Sequence, residues 1–313
     1  MPAFGERKEL GSSLPHSARF HEDEGADRVI VVEERIGLAE MRVGWTGTVG
    51  LVITMGALHE GHASLIREAR RLHDHVVVTV YVNPLQYEDP AVYPRTPDED
   101  ARLCREEGVD VLYMPDTAEV YRDGGPLITV APGARGEVLE AEGRPGYFDG
   151  VLTVMLKMTN LVGPDAVFLG EKDFQQLALF RRMVFDLDVP VQVVGVPTVR
   201  ESDGLALSSR NTRLSTAERE AALALPRALT AGVGVAAEQG GAADVLAAAA
   251  NLLKAADSGD VPVRTLYLQL AGPSLESAPE QGPAWLLAAV QVGGTRLIDA
   301  MPLQLEPSSQ SGG

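Results

Sequence analysis

Short apolar runs and helical periodicities alternate along most of the chain. An apolar run at 51–53 is followed by an amphipathic stretch at 63–72, an apolar run at 76–81, a helical pattern at 98–107 closed by Gly108, and another run at 109–113. After a Gly- and Pro-rich interval the alternation resumes with a helix near 151–162, a strand at 166–169, a helix at 174–186 and a strand at 191–196. Strands and helices alternating at these lengths predict right-handed crossovers and an α/β fold, a Rossmann-like doubly wound parallel sheet. Such sheets bind ligands at the carboxyl ends of their strands. The loops 54–62, 83–87, 170–173 and 197–210 leave those ends and are expected to converge on one crevice.

Beyond Thr198 the pattern changes. Ser215-Thr216-Ala217-Glu218 reads as a capping box, and Ala-rich segments follow, including 242–256. Alternating strands at 265–270 and 285–292 lead through Gly293-Gly294 into a third at 295–301, which reads as a hairpin. The domain plan is a loose extension at 1–27, a nucleotide-binding domain at 28–198, a smaller C-terminal α+β domain at 199–305 and a disordered tail at 306–313.

Composition narrows the function. The 313 residues carry a net charge of −17, and lysine occurs only at positions 8, 157, 172 and 254, so a nucleic-acid groove is not expected. No apolar stretch reaches the ~20 residues of a membrane span, and the polar N-terminus lacks a signal core, which predicts a cytoplasmic protein. Cys104 is the only cysteine, which excludes an intrachain disulfide or a multi-cysteine zinc site. It falls on the apolar side of a predicted helix and reads as a buried thiol.

The chemistry concentrates in the crevice loops. Thr54-Met55-Gly56-Ala57-Leu58-His59-Glu60-Gly61-His62 is a strand end, a glycine-bearing turn and a helix start. Free N–H groups and the helix dipole favour phosphate there, and His59 and His62 share one helical face. Their spacing does not fit the zinc-protease pattern. Gly170-Glu171-Lys172-Asp173 opens another helix and offers a mobile ammonium for phosphate oxygens. Leu207-Ser208-Ser209-Arg210 sets two hydroxyls beside a guanidinium in a loop that can close over a pyrophosphate. Gln86 and Gln176 offer neutral amides suited to a small polar substrate. His73-Asp74-His75 lies at the far end of its strand and reads as a solvated turn. Asp98-Glu99-Asp100 reads as an acidic helix N-terminus with magnesium as a second possibility, and the metal ligands are left unassigned.

Assembled, these segments resemble the pantoate–β-alanine ligases. The match comprises 54–62, 83–86, Tyr93-Pro94-Arg95-Thr96, 150–157, 170–176, 195–201 and 203–211, in the family's order. The resemblance implies a nucleotidyltransferase-type domain with His59-Glu60-Gly61-His62 as the HxGH signature, a mobile loop at 207–210, a C-terminal lid and a homodimer. It also implies Mg-ATP as co-substrate and pantoate and β-alanine as partners, joined through a pantoyl adenylate. Met55, Gly56, His59, His62, Gly170, Glu171, Lys172, Asp173, Val199, Leu207, Ser208, Ser209 and Arg210 match ATP contacts. Gln86, Gln176 and Met55 match pantoate contacts, with Gln86 also touching β-alanine, and His62 matches the proton donor. His62, His59, Lys172 and Arg210 are thus the expected catalytic set. Departures are Ile53 in place of a proline, expected to loosen the turn, Leu207 in place of methionine, Tyr147 in place of histidine, and a shortened segment before Tyr93. Ile53 and Tyr147 keep two alternatives open: a nucleotidyltransferase for another small acceptor, or a non-catalytic homologue.

Overall fold

The computed structural model describes residues 18–20, 29–86 and 93–306. Outside them lie the rest of the expected N-terminal extension, residues 87–92 of the crevice region, and all of the expected tail except Glu306. Within the extension, β1 (Ala18–Phe20) pairs antiparallel with β2 (Ile30–Val32).

The main sheet follows the predicted alternation. After α1 (Arg35–Val43) come β3 (Val49–Thr54), α2 (Glu60–Leu72), β4 (His75–Val80), α3 (Pro97–Glu106) and β5 (Val111–Tyr113). A single-turn α4 (Thr117–Val120) and irregular chain lead to α5 (Tyr147–Val162), β6 (Ala166–Gly170), α6 (Phe174–Asp186) and β7 (Gln192–Val196). The strand order is β1-β2-β5-β4-β3-β6-β7, parallel throughout except for β1. From β3 the chain adds β4 and β5 on one side, then crosses to add β6 and β7 on the other. The order therefore reverses between β3 and β6, where a parallel sheet opens a ligand crevice.

The double winding is written residue by residue. Leu51, Val77, Val111 and Val167 pack with Phe148, Met158 and Phe180 of α5 and α6 on one face. Their neighbours Val52, Val78, Leu112 and Phe168 pack with Ile66 of α2 and Ala101 and Cys104 of α3 on the other. Alternate side chains of a strand point to opposite faces, so strands covered on both sides must be apolar throughout.

The C-terminal part comprises α7 (Thr216–Ala222), α8 (Ala224–Ala237) and α9 (Ala242–Asp257), then an antiparallel sheet ordered β10-β9-β8. β8 (Val263–Ala271), β9 (Gly282–Val292) and β10 (Thr295–Leu305) each exceed the predicted span, and the β9–β10 hairpin turns at Gly293-Gly294. Leu229, Val245 and Leu253 on α8 and α9 cover Leu286, Ala288 and Val290 of β9. Two ion pairs fasten β10, one to the loop that leaves β7 and one to the larger layer. Arg200 forks onto buried Asp299 at 2.7 and 3.0 Å, and Arg296 reaches Glu140 at 2.6 Å.

Candidate active site

The first crevice loop is held by a buried carboxylate. Asp100, 1% exposed on α3, accepts hydrogen bonds from Ala57 N at 3.1 Å, Leu58 N at 2.7 Å and Thr96 Oγ1 at 3.1 Å. That use of Asp100 replaces the magnesium possibility raised by its sequence. Ile53 lies within β3, before the turn. It pairs with Thr79, the strand continues to Thr54, and the Thr54 hydroxyl donates to Thr79 O at 2.7 Å.

Two histidines then cap α2 reciprocally. Gly61 N donates to His59 Nδ1 at 3.1 Å, and His59 N donates to His62 Nδ1 at 3.2 Å. An imidazole that accepts a backbone proton at Nδ1 carries its own proton on Nε2. Both rings, 4.2 Å apart between centroids, therefore keep an Nε2–H for a ligand. Burial, followed by the charges of His59 and Lys172, holds His62 down at about 3. Burial and Lys172 also lower His59, against the opposing charge of Asp173. At neutral pH His62 is an uncharged donor, and its protonated form becomes accessible only when anionic charge arrives beside it.

These groups face a cavity of about 240 Å3 at the switch point. All four loops contribute to its lining. Met55, His59 and His62 come from the first, Gln86 from the second, Lys172 and Asp173 from the third, and Val199, Leu207 and Arg210 from the last. Gly170 and Gln176 also line it. Lys172 Nζ lies 3.5 Å from Leu207 O and 4.0 Å from Asp173, so the ammonium bridges the third loop and the fourth.

Four expected contacts have no part in that lining. Gly56 donates through N to Thr54 Oγ1, and its carbonyl accepts from Tyr93 Oη at 3.5 Å. Glu171 lies near Arg181 beside β7, its carboxyl raised by burial against the lowering charge of Arg181. Ser208 Oγ accepts from Arg210 N at 3.3 Å, capping a 3-10 turn at Ser209–Arg213, and Ser209 lies inside that turn. His73-Asp74-His75 is only partly the solvated turn expected. Asp74 accepts from Thr48 N at 2.8 Å, while His75 stacks on Trp45 and His73 meets Phe168 edge-on.

The structure adds residues that were not among the expected site contacts, some of them inside the matched segments 93–96 and 150–157. Val151, Val154, Met155 and Met158 on α5 form an apolar wall, and Thr79, Tyr81 and Tyr93 complete the floor and rim. Tyr147 also lines the cavity. Its ring lies under the Arg144 guanidinium at 3.8 Å and against the edge of Phe148, and burial raises its hydroxyl. The helical period of α5 was readable, but which of its apolar positions stop at a cavity depends on Thr79, Tyr81, Gln86 and Tyr93, brought in from elsewhere in the chain.

Comparison with known proteins gives one answer. Residues 31–302 match the family model described as Pantoate-beta-alanine ligase. The chain is 55% identical to the pantothenate synthetase of Salinispora arenicola over 89% of its own length and 99% of that protein. It is 50% identical to that of Thermobifida fusca over 83% and 90%. A crystal structure of pantothenate synthetase from Thermus thermophilus superposes with a TM-score of 0.78 at 41% identity, covering 87% of this chain and 98% of that one. The Francisella tularensis pantoate-beta-alanine ligase, solved with a β,γ-ATP compound and β-alanine, gives 0.70 at 30% identity over 87% and 97%.

Proposed function

This chain belongs to the pantoate-beta-alanine ligase family, an ATP-dependent ligase forming pantothenate from pantoate and β-alanine, and we propose how its cavity divides that work. The observation that carries the assignment is the meeting of His59, His62, Lys172 and Arg210 around one cavity at the sheet's switch point. The set brings donors and positive charge to a protein of net charge −17 at the place where a triphosphate would lie.

In the first step a pantoate carboxylate oxygen attacks the α-phosphorus of ATP. The new C–O–P bond forms as the bond to the β-phosphate oxygen breaks and pyrophosphate leaves. Negative charge grows on the α-phosphoryl and bridging oxygens, and preorganised donors aimed at it lower the barrier. The Nε2–H of His62 supplies one, His59 a second, and Lys172 and Arg210 the charge. Met55, Gly170, Asp173, Val199 and Leu207 surround the nucleotide, and Gly56, Glu171, Ser208 and Ser209 act from behind the lining, shaping the loops that carry those contacts. In the second step the β-alanine amine attacks the acyl carbon, the C–N bond forms, AMP leaves and the amine loses a proton. Gln86, Gln176 and Met55 orient pantoate, whose methyl groups meet the α5 wall.

Magnesium would neutralise phosphate charge. Among the described residues no three His, Cys, Asp or Glu form a metal cage, and the cavity lining holds one carboxylate, Asp173. That set fits an ion carried mainly by phosphates and water. The 199–305 part serves as the lid, anchored to the larger part through Arg296–Glu140 and braced internally by Arg200–Asp299. A homodimer is supported by Leu127 and Ile128, 102% and 86% exposed beside each other. Among the described residues no helix is long and apolar enough to cross a membrane, and the cytoplasm, where ATP is available, is the compartment that suits the reaction.

Exchange of labelled pyrophosphate into ATP tests the reading. Exchange that requires pantoate but not β-alanine, with pantothenate appearing once β-alanine is added, supports it. Equal exchange without pantoate would favour a nucleotidyltransferase for another acceptor.

A further inference from the structure

Gln86 does not stand alone at the cavity wall. Asn83, fully buried just beyond β4, donates through Nδ2 to Gln86 Oε1 at 2.9 Å and to Gly150 O at 3.0 Å. Its Oδ1 accepts from Leu85 N at 3.3 Å and from Tyr121 Oη at 3.0 Å. Both donors and both acceptor positions of this amide are thus occupied. Two of the four partners are backbone groups of fixed polarity. Gly150 O can only accept and Leu85 N can only donate, so the amide cannot be turned end for end without opposing both.

The polarity passes along the chain of contacts. With Oδ1 facing Tyr121, the phenol must donate. With Nδ2 facing Gln86, the glutamine must present its oxygen to Asn83, which leaves Nε2–H to the cavity. A donor directed there receives a carboxylate or hydroxyl oxygen and disfavours a ligand that offers only N–H. Tyr121 supplies the shorter of the two bonds to Oδ1, and its own surroundings hold it in place. It is 3% exposed, its ring meets the cavity-lining Tyr81 edge-on at 6.1 Å between centroids, and burial raises its hydroxyl above the usual phenol range.

We propose that Tyr121, which lies outside the cavity lining, is a positioning residue that acts through Asn83 to lock the Gln86 side chain as a hydrogen-bond donor to the acyl substrate. The proposal rests on the reading of Gln86 as a pantoate contact. Removing the phenol oxygen leaves Asn83 Oδ1 with the longer Leu85 bond alone, and the Asn83–Gln86 pair gains freedom to rotate.

The test is Y121F in the full chain, which keeps the ring and its packing. Loss of one well-placed hydrogen bond corresponds to a rise in KM for pantoate of about 5–10-fold. KM for ATP should stay within about twofold, because the histidine and lysine loops are untouched. In a Q86A background the same substitution should change KM for pantoate by less than about twofold, since the group through which it acts is gone. Pantoate KM within twofold of wild type in Y121F overturns the proposal. So does a parallel rise for both substrates, or an undiminished effect on Q86A, either of which would mark a general structural role. Pantoate-dependent exchange by the wild-type protein is scored separately, so failure of the functional reading and failure of the relay give different results.

Discussion

The histidine cap makes a quantitative claim about acid stability. His62 sits at about 3 in the folded protein, against about 6.5 for an exposed or unfolded histidine. Between those values the unfolded chain binds a proton that the folded chain refuses, so this residue's contribution is complete above pH 6.5 and falls away as pH drops. Integrating from pH 7 to 4.5 gives a loss of about 2.5 kcal/mol attributable to His62. The perturbation is H62N, because an amide oxygen can replace Nδ1 as acceptor for the His59 N–H while removing the titrating group. Urea unfolding midpoints measured at half-unit intervals over that range should decline less steeply in H62N than in wild type, the curves diverging by about 2.5 kcal/mol at pH 4.5. Titrating residues that do not act on His62 cancel in the difference, and the coupling to His59 is included in it. Parallel curves would show that His62 protonates in place without cost, and the neutral-donor assignment would fail with them.

Three further outcomes follow from other contacts. A Cβ added at Gly61 would lie 2.9 Å from His59 Cε1 and 3.0 Å from Nδ1, so G61A should displace that imidazole and lower kcat/KM for ATP by about 10–100-fold. Circular dichroism of that variant should remain that of the folded chain. Asp299, whose carboxyl is raised by burial against the lowering charge of Arg200, holds the Arg200 fork, and D299A strands a mostly buried guanidinium. A loss of about 3 kcal/mol in chemical denaturation is expected, and a change below about 1 kcal/mol would show that Arg200 escapes to water. Cys104 is fully buried with its thiol raised by desolvation, so a thiol reagent should label it in denaturant and leave it unlabelled in the native protein over the same interval.

Legibility in the sequence followed burial. Strands covered on both faces, such as β3 and β6, are unbroken apolar runs, and α6 was bounded at Phe174 and Asp186 because its apolar period is uninterrupted. The elements missed include β1, inside the extension expected to be loose, β2, likewise only three residues long, the single turn α4, and α1, where Ile36 and Val43 face solvent and only Gly37 and Leu38 are buried. A helix with so narrow a buried face leaves little periodic trace. The candidate site was legible where its residues are contiguous with a turn, as at His59 and His62 or Lys172 and Asp173. Asp100 and Tyr121 were not, because their partners lie some forty residues away in the chain and only the closed sheet brings them together. The serines at 208 and 209 show how a local turn overlaps a motif: Ser208 Oγ accepts from Arg210 N in its own turn while its O–H stays available as a donor.

The fork between Arg200 and Asp299 has a consequence for how the enzyme fails on heating. Arg200 begins the loop that carries Leu207 and Arg210, and Asp299 belongs to β10 of the hairpin. A melt confined to the small sheet would therefore release the Arg210 side of the candidate site while the seven-stranded sheet still stood. Activity lost by that route would return on cooling without whole-chain refolding, and the operating ceiling of the enzyme would be set by its lesser layer.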